Sequence, residues 1–238
     1  MQLAAVITDI DGTIAETEDY HRRAYNDLFA HFGLDQRWTQ QDYADRLAMV
    51  GGAKFTEIMN WLGVPEDERP AKKQELYAWK SQRFEDLVVA DIASGELPVR
   101  DGIIPLFQEI VDAGLILSAA STCVKPAALG ILRGALGEEL FGKLKVVCAG
   151  DDVRAKKPAP DIYLMAAEMS GVAPEACMAI EDTSHGLASA KNAGMSCIVT
   201  PSDFADDEDF TLADANYPKG LGAAGVTLAD LRRIHEGA

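Results

Sequence analysis

A chain of 238 residues has room for one large domain carrying an insertion, or for two small domains. Its 48% hydrophobic and 25% charged composition is that of a soluble globular protein and argues against disorder. A net charge of −16 repels phosphate backbones, so nucleic acid is not an expected partner, and the lack of a run of about 18 apolar residues excludes a helical membrane span.

The four cysteines, Cys123, Cys148, Cys177 and Cys197, form no C-x-x-C pair. That disfavours a zinc site and fits buried, reduced thiols in a cytoplasmic protein. No basic start followed by an apolar stretch suggests a signal peptide. No long apolar seam stands out, and a monomer is expected.

Leu3 to Ile7 read as a buried strand, followed by Asp9 and Asp11 and then Gly12-Thr13. Residues two apart on an extended chain point the same way, so both carboxylates can face one pocket. Tyr20, Ala24, Leu28 and Phe32 then mark an apolar stripe at helical spacing over residues 17 to 32, with Gly33 after it. Residues 40 to 49, 54 to 62 and 66 to 89 also read as helical, with breaks at Gly51-Gly52 and Gly63-Val64-Pro65. No strand is expected between about 15 and 95, and residues 93 to 102 form a connector.

From 101 the pattern alternates. Asp101 is the expected N-cap of a helix to Ala113. Leu115 to Ala120 is a strand followed by Ser121-Thr122, and a helix spans 126 to 136. Lys145 to Ala149 is a strand followed, after a loop, by Lys156-Lys157-Pro158. A helix covers Asp161 to Ser170. Cys177 to Ile180 is a strand followed by Glu181-Asp182, a helix covers His185 to Ala193, and Met195 to Thr200 is a strand. The acid-rich residues 203 to 214 read as an exposed loop. The expected fold is α/β. A Rossmann-like parallel sheet with helices on both faces comprises residues 1 to 14 and 99 to 238, and residues 15 to 98 form an inserted helical cap.

Ligands of such sheets bind at the carboxyl ends of the strands. Here those ends carry Asp9 and Asp11, then Ser121 and Thr122, then Lys157, then Glu181 and Asp182. Taken singly, each has a plainer role. A D-x-D is commonly solvated surface, Ser-Thr and Glu-Asp pairs cap helices, and a Lys pair can be a solvated loop. Together they make a coherent set. A carboxylate can attack phosphorus and split one hard step into two. Its repulsion from a phosphate is about 4 kcal/mol per charge pair at about 4 Å and an effective dielectric of about 20, so cations are required. Magnesium held by Asp9 and Asp182, with Glu181, would supply part of that charge, and Lys157 more. Ser121 would hydrogen-bond a phosphoryl oxygen, and Asp11 would protonate the departing oxygen. His21, His31 and His185 are expected in surface or capping roles.

D-x-D-G-T after the first strand, Ser or Thr after the second, Lys-Pro before a helix and a later acid pair resemble the haloacid dehalogenase-like phosphotransferases with a helical cap. The resemblance covers essentially the whole chain. It implies Asp9 as nucleophile, Asp11 as acid and base, Ser121 and Lys157 as phosphate ligands, and a magnesium ion on Asp9, Asp182 and the main-chain carbonyl of Asp11, supported by Glu181. Residues 15–18, 21–26, 50–54, 79–83, 149–153 and 156–161 are similar to the CbbY group of sugar-bisphosphate phosphatases, which act on xylulose 1,5-bisphosphate. By that resemblance Glu18 and Tyr43 bind substrate, and Gly51, Gly52 and Lys54 form a cap loop around the distal phosphate. Phe55 and Thr56 follow Lys54 where that group tends to carry a second basic residue, and the cap holds 10 Lys or Arg against 16 Asp or Glu, so a monophosphate substrate stays open. The alternatives are a β-phosphoglucomutase-like isomerase, which shares the core motifs, and a non-catalytic binding protein on the same scaffold.

Overall fold

A computed structural model describes residues 1–46, 53–205 and 207–237. The chain forms two compact units, Met1–Glu16 with Asp91–Ala238, and Thr17–Ala90.

The first unit is built on six parallel strands in the order β3-β2-β1-β4-β5-β6. They are β1 (Ala5–Thr8), β2 (Ile116–Ala120), β3 (Val147–Cys148), β4 (Cys177–Glu181), β5 (Ser196–Val199) and β6 (Ala215–Asn216). β1 lies between β2 and β4, with Thr8 opposite Ala119 on one side and Ile180 on the other. The apolar strands lack alternation because both faces are covered. Ala5, Ile7, Cys177, Ala179, Cys197 and Val199 pack with Tyr163 and Ala166 of one helix and Leu187 and Ala190 of another. The alternate row, Val6, Met178, Ile180 and Ile198, is equally buried.

The helices of this unit include α5 (Ile103–Asp112), α6 (Lys125–Phe141), α7 (Asp161–Ser170), α8 (Ser184–Asn192) and α9 (Leu228–Gly237). The second unit holds α1 (Glu18–His31), α2 (Gln40–Ala44) and α3 (Ala53–Trp61), together with most of α4 (Arg69–Ser94). Gly51 and Gly52 lie outside the described residues.

Several expectations are corrected. Asp101 is not the N-cap of α5; Gly102 is, at φ 86° and with no side-chain cap. Asp101 instead packs against the Gly222 backbone and accepts the Gly222 N–H on its carbonyl at 3.0 Å. α4 continues five residues beyond the expected end at 89, and α6 is two helical pieces joined at Gly137. β6 and α9 were not expected. The acid-rich segment is only partly solvated: Asp214 accepts from Lys191 at 2.8 Å and from the Cys197 N–H at 2.6 Å, and Glu208 accepts from the Ser184 N–H at 2.5 Å. His21 is not a surface group. It stacks on Phe84 at 3.9 Å, and its Nδ1 accepts from Lys80. Burial first, then the Lys80 and Lys54 charges, hold its pKa well below the usual histidine value.

Two predictions follow from this packing. A Cβ on Gly102 would lie 2.4 Å from the Gly222 backbone nitrogen, at a φ that L side chains rarely adopt. Gly102→Ala should therefore cost about 2–4 kcal/mol of stability, read from the urea midpoint. The His21 pKa is depressed on folding, so its contribution is complete above the unfolded value near 6.5 and is lost as pH falls below it. Stability measured by urea midpoint should therefore fall as pH drops from 6.5 to 5, and His21→Leu should show a shallower fall over that range.

Candidate active site

The site is assembled at the carboxyl ends of the central strands. Asp9 follows β1 and is 5% exposed. Its N–H donates to the Ile180 carbonyl at 2.9 Å, which extends the β1–β4 ladder and fixes the backbone that carries the carboxylate. Beyond it the chain turns tightly: Ile14 N–H donates to Ile10, and Gly12 N–H to the carbonyl of Ala15. Asp11 sits in this turn, half-buried.

Lys157 reaches in from the loop before α7. Its ammonium donates to Asp9 Oδ1 at 2.5 Å, to Glu181 Oε1 at 2.6 Å and to the Ala120 carbonyl at 3.0 Å. Three donors meet three acceptors, one from the end of each of β1, β2 and β4. Glu181 also accepts from the Tyr163 hydroxyl at 2.6 Å, and its second oxygen accepts from the Asp182 N–H at 3.2 Å. One carboxylate oxygen from each of Asp9, Glu181 and Asp182 lies within 4.8 Å of the other two, and all three residues are buried.

With all three carboxyls ionised, one ammonium would leave two negative charges out of water, and burial resists that state. Burial pushes Asp9 up to about 8; Lys157 opposes that shift, while Glu181 and Asp11 add to it. Burial also raises Asp182 well above the carboxylate range, with Asp9 and Glu181 adding repulsion. Lys157 is displaced upward: burial works against its charge, but Asp9 and Glu181 outweigh it.

Asp182 is wedged in place. A Cβ on Gly12 would sit 2.0 Å from its Oδ2 and 3.1 Å from the Ser202 Cβ, and the Thr13 hydroxyl donates to its Oδ1 at 3.5 Å. Ser121 is 1% exposed; its N–H donates to the Cys148 carbonyl at 3.0 Å, and its Oγ accepts from the Cys123 N–H at 3.2 Å. The Thr122 carbonyl accepts from Lys156 at 3.3 Å. None of these groups caps a helix. α6 is preceded by Val124 and α7 by Pro160, neither with a side-chain cap, and the α8 cap is Thr183, whose hydroxyl accepts from the Gly186 N–H.

In the helical unit, residues from three helices meet. Tyr43 donates to Glu18 Oε1 at 2.6 Å, and the Lys54 ammonium lies 5.6 Å from the Tyr43 ring centre. Burial lowers the Lys54 pKa, and Glu18 partly restores it.

Sequence reasoning missed Tyr163, Ser202 and the His21–Lys80 pair. Tyr163 lies six residues after Lys157 on the face of α7 that packs the sheet, where an aromatic residue reads as core. Its buried hydroxyl was the available signal, because such a group needs a partner.

The haloacid dehalogenase-like hydrolase family model matches residues 3–194. Protein CbbY of Rhodobacter capsulatus is 38% identical over 235 residues, covering 97% of this chain and all of that one. The crystal structure of CbbY from Rhodobacter sphaeroides in complex with phosphate superposes with a TM-score of 0.80 at 37% identity, covering 96% of this chain and 99% of that chain. A mutant of the same protein, crystallised with xylulose-(1,5)bisphosphate, gives 0.80 at 36%, with the same coverage. A β-phosphoglucomutase from Clostridium difficile shares the fold, with a TM-score of 0.76 at 19% identity over 99% of this chain and 98% of that chain. Matched along nearly its whole length, and carrying its buried acids where the central strands end, the chain belongs to the haloacid dehalogenase-like hydrolase family.

Proposed function

We propose that the protein is a magnesium-dependent phosphatase of small phosphorylated sugars, acting through an aspartyl phosphate on Asp9, with a sugar bisphosphate such as xylulose 1,5-bisphosphate as substrate. One observation carries the reading: Lys157 joined to Asp9 and Glu181, with Asp182 beside them, at the edge of the sheet where ligands bind. The likeness to CbbY proteins, one of them crystallised with the bisphosphate, supports the substrate class.

The residues fit magnesium. The donors are hard carboxylate oxygens, and with all three carboxyls ionised the charge that Lys157 leaves over would equal that of one divalent cation. Asp9 and Asp182 would hold it, with the Asp11 carbonyl. Glu181 is engaged on both oxygens, so it serves better as the counter-charge that holds Lys157. When bound, the ion supplies positive charge that draws a phosphate dianion toward Asp9.

The protein groups then divide the work. An Asp9 oxygen attacks phosphorus, the bond from phosphorus to the sugar oxygen breaks, and Asp11 gives that oxygen its proton. Water next attacks phosphorus while Asp11 takes its proton, which frees orthophosphate and restores Asp9. Lys157 exchanges one of its acceptors for a phosphoryl oxygen, and Ser121 donates to another, so charge is stabilised where it develops. Thr122 flanks the same oxygens. Glu18 and Tyr43 offer acceptor and donor groups to sugar hydroxyls. Lys54 provides the cation that a distal phosphate requires; Gly51 and Gly52, expected beside it, lie outside the described residues.

With purified protein and magnesium, orthophosphate should appear from xylulose 1,5-bisphosphate and more slowly from sugar monophosphates. Conversion of glucose 1-phosphate to the 6-phosphate without phosphate release would establish a mutase instead. Asp9→Asn should lower kcat by at least about 10³-fold, and an unchanged rate would exclude the covalent route. Chelation should abolish turnover and added magnesium restore it. Tyr163→Phe removes one hydrogen bond to a charged group, worth about 1.5 kcal/mol, and kcat should fall about tenfold without loss of fold.

A further inference from the structure

The Asp182 carboxylate is steered by two loops that are far apart in sequence. One is the turn after Asp9, where Gly12 packs against Asp182 Oδ2. The other follows β5, where Ser202, 4% exposed, packs on the same side of Gly12: a Cβ there would lie 3.1 Å from the Ser202 Cβ as well as against Asp182. Both loops hang on one side chain. The Arg100 guanidinium donates to the Gly12 carbonyl, to the Thr200 carbonyl at 2.8 Å and to the Pro201 carbonyl at 2.7 Å. Its Nε lies 3.1 Å from Glu16, and Glu16 accepts the Asp203 N–H at 3.3 Å. The backbone N–H of Arg100 donates to the Ile14 carbonyl at 2.8 Å, so the base of the side chain is anchored as well.

A rigid, planar fork of five donors suits this task. Three carbonyls from two loops converge on it, and a fixed positive charge compensates their crowding. A neutral or more flexible side chain would leave buried carbonyls unpaired and would free Gly12 and Ser202 to shift against Asp182.

We propose that Arg100 is a positioning residue for the metal site: by fixing the residue 12 turn and the 200–201 segment together, it sets the orientation of Asp182 and with it the affinity for a divalent cation. Arg100 touches neither the phosphate nor the ion in this scheme. The inference rests on the metal-binding reading of Asp9 and Asp182.

The test is manganese binding to the full-length protein, followed by electron paramagnetic resonance, with Arg100→Gln, Arg100→Lys and Leu231→Ala beside the wild type. Leu231 is fully buried in α9, outside the site, and its truncation controls for general destabilisation. Arg100→Gln should raise the Mn²⁺ Kd about 10- to 100-fold, the range seen when groups that orient metal ligands are removed. The magnesium concentration for half-maximal turnover should rise in parallel, and kcat should recover at saturating magnesium. Arg100→Lys, which keeps the charge but not the fork, should lie between the two, and Leu231→Ala should leave Kd unshifted. An Arg100→Gln protein with lowered stability and wild-type Kd would overturn the proposal. Should that variant not fold, Arg100→Lys decides, and an unshifted Kd there overturns it. A wild type that binds no manganese or magnesium would defeat the metal reading itself, a result distinct from an unshifted Kd.

Discussion

A single ammonium group, buried and shared between two carboxylates and a carbonyl, is the interaction around which the first unit is arranged. Removing such charges from water costs several kcal/mol per ion, and only full pairing and good geometry repay it. Lys157 meets those terms because β1, β2 and β4 end at the same level and each presents an acceptor. The remaining imbalance, an excess of carboxylate over ammonium, is poorly suited to stability alone. It is what a site needs when its ligands bring positive charge.

Strand order explains why the acceptors converge. In the order 3-2-1-4-5-6 the chain reverses direction of growth between β1 and β4, the switch point at which open parallel sheets bind their ligands. Asp9 ends one bordering strand and Asp182 follows the other, so residues more than 170 positions apart become neighbours through ordinary parallel pairing. The ladder continues one residue past β1, through the Asp9 N–H, and the nucleophile candidate therefore stands on the sheet rather than on a loop.

Much of this was legible in the sequence. Asp9, Ser121, Lys157 and Glu181-Asp182 are polar punctuation after or between apolar strands, and that contrast survives translation into structure because buried parallel strands show no alternation. What escaped did so for identifiable physical reasons. Tyr163 carries its hydroxyl on an otherwise apolar helix face. Arg100 acts through backbone carbonyls and Ser202 through close packing beside Gly12, which no residue pattern encodes. β6 has two residues, too few for any period, and Asp214 is hidden among acids that are mostly solvated although it is itself tied to Lys191 and Cys197. Asp101 was assigned by cap preference, but a positive-φ glycine took the cap position and close packing against Gly222 took the aspartate.

The contact between Gly12 and Asp182 also bears on how this sequence can drift. Any side chain at position 12 would claim space that the Asp182 carboxylate already fills, at a backbone angle that favours glycine. Relief comes either by turning the Asp182 carboxylate away from its place in the cluster or by a smaller residue at 182, which removes it. The two positions therefore constrain each other: a side chain at 12 presses on the acid, and a smaller residue at 182 makes room only by giving the acid up. Variation among descendants of this chain should accumulate around that pair and leave it intact.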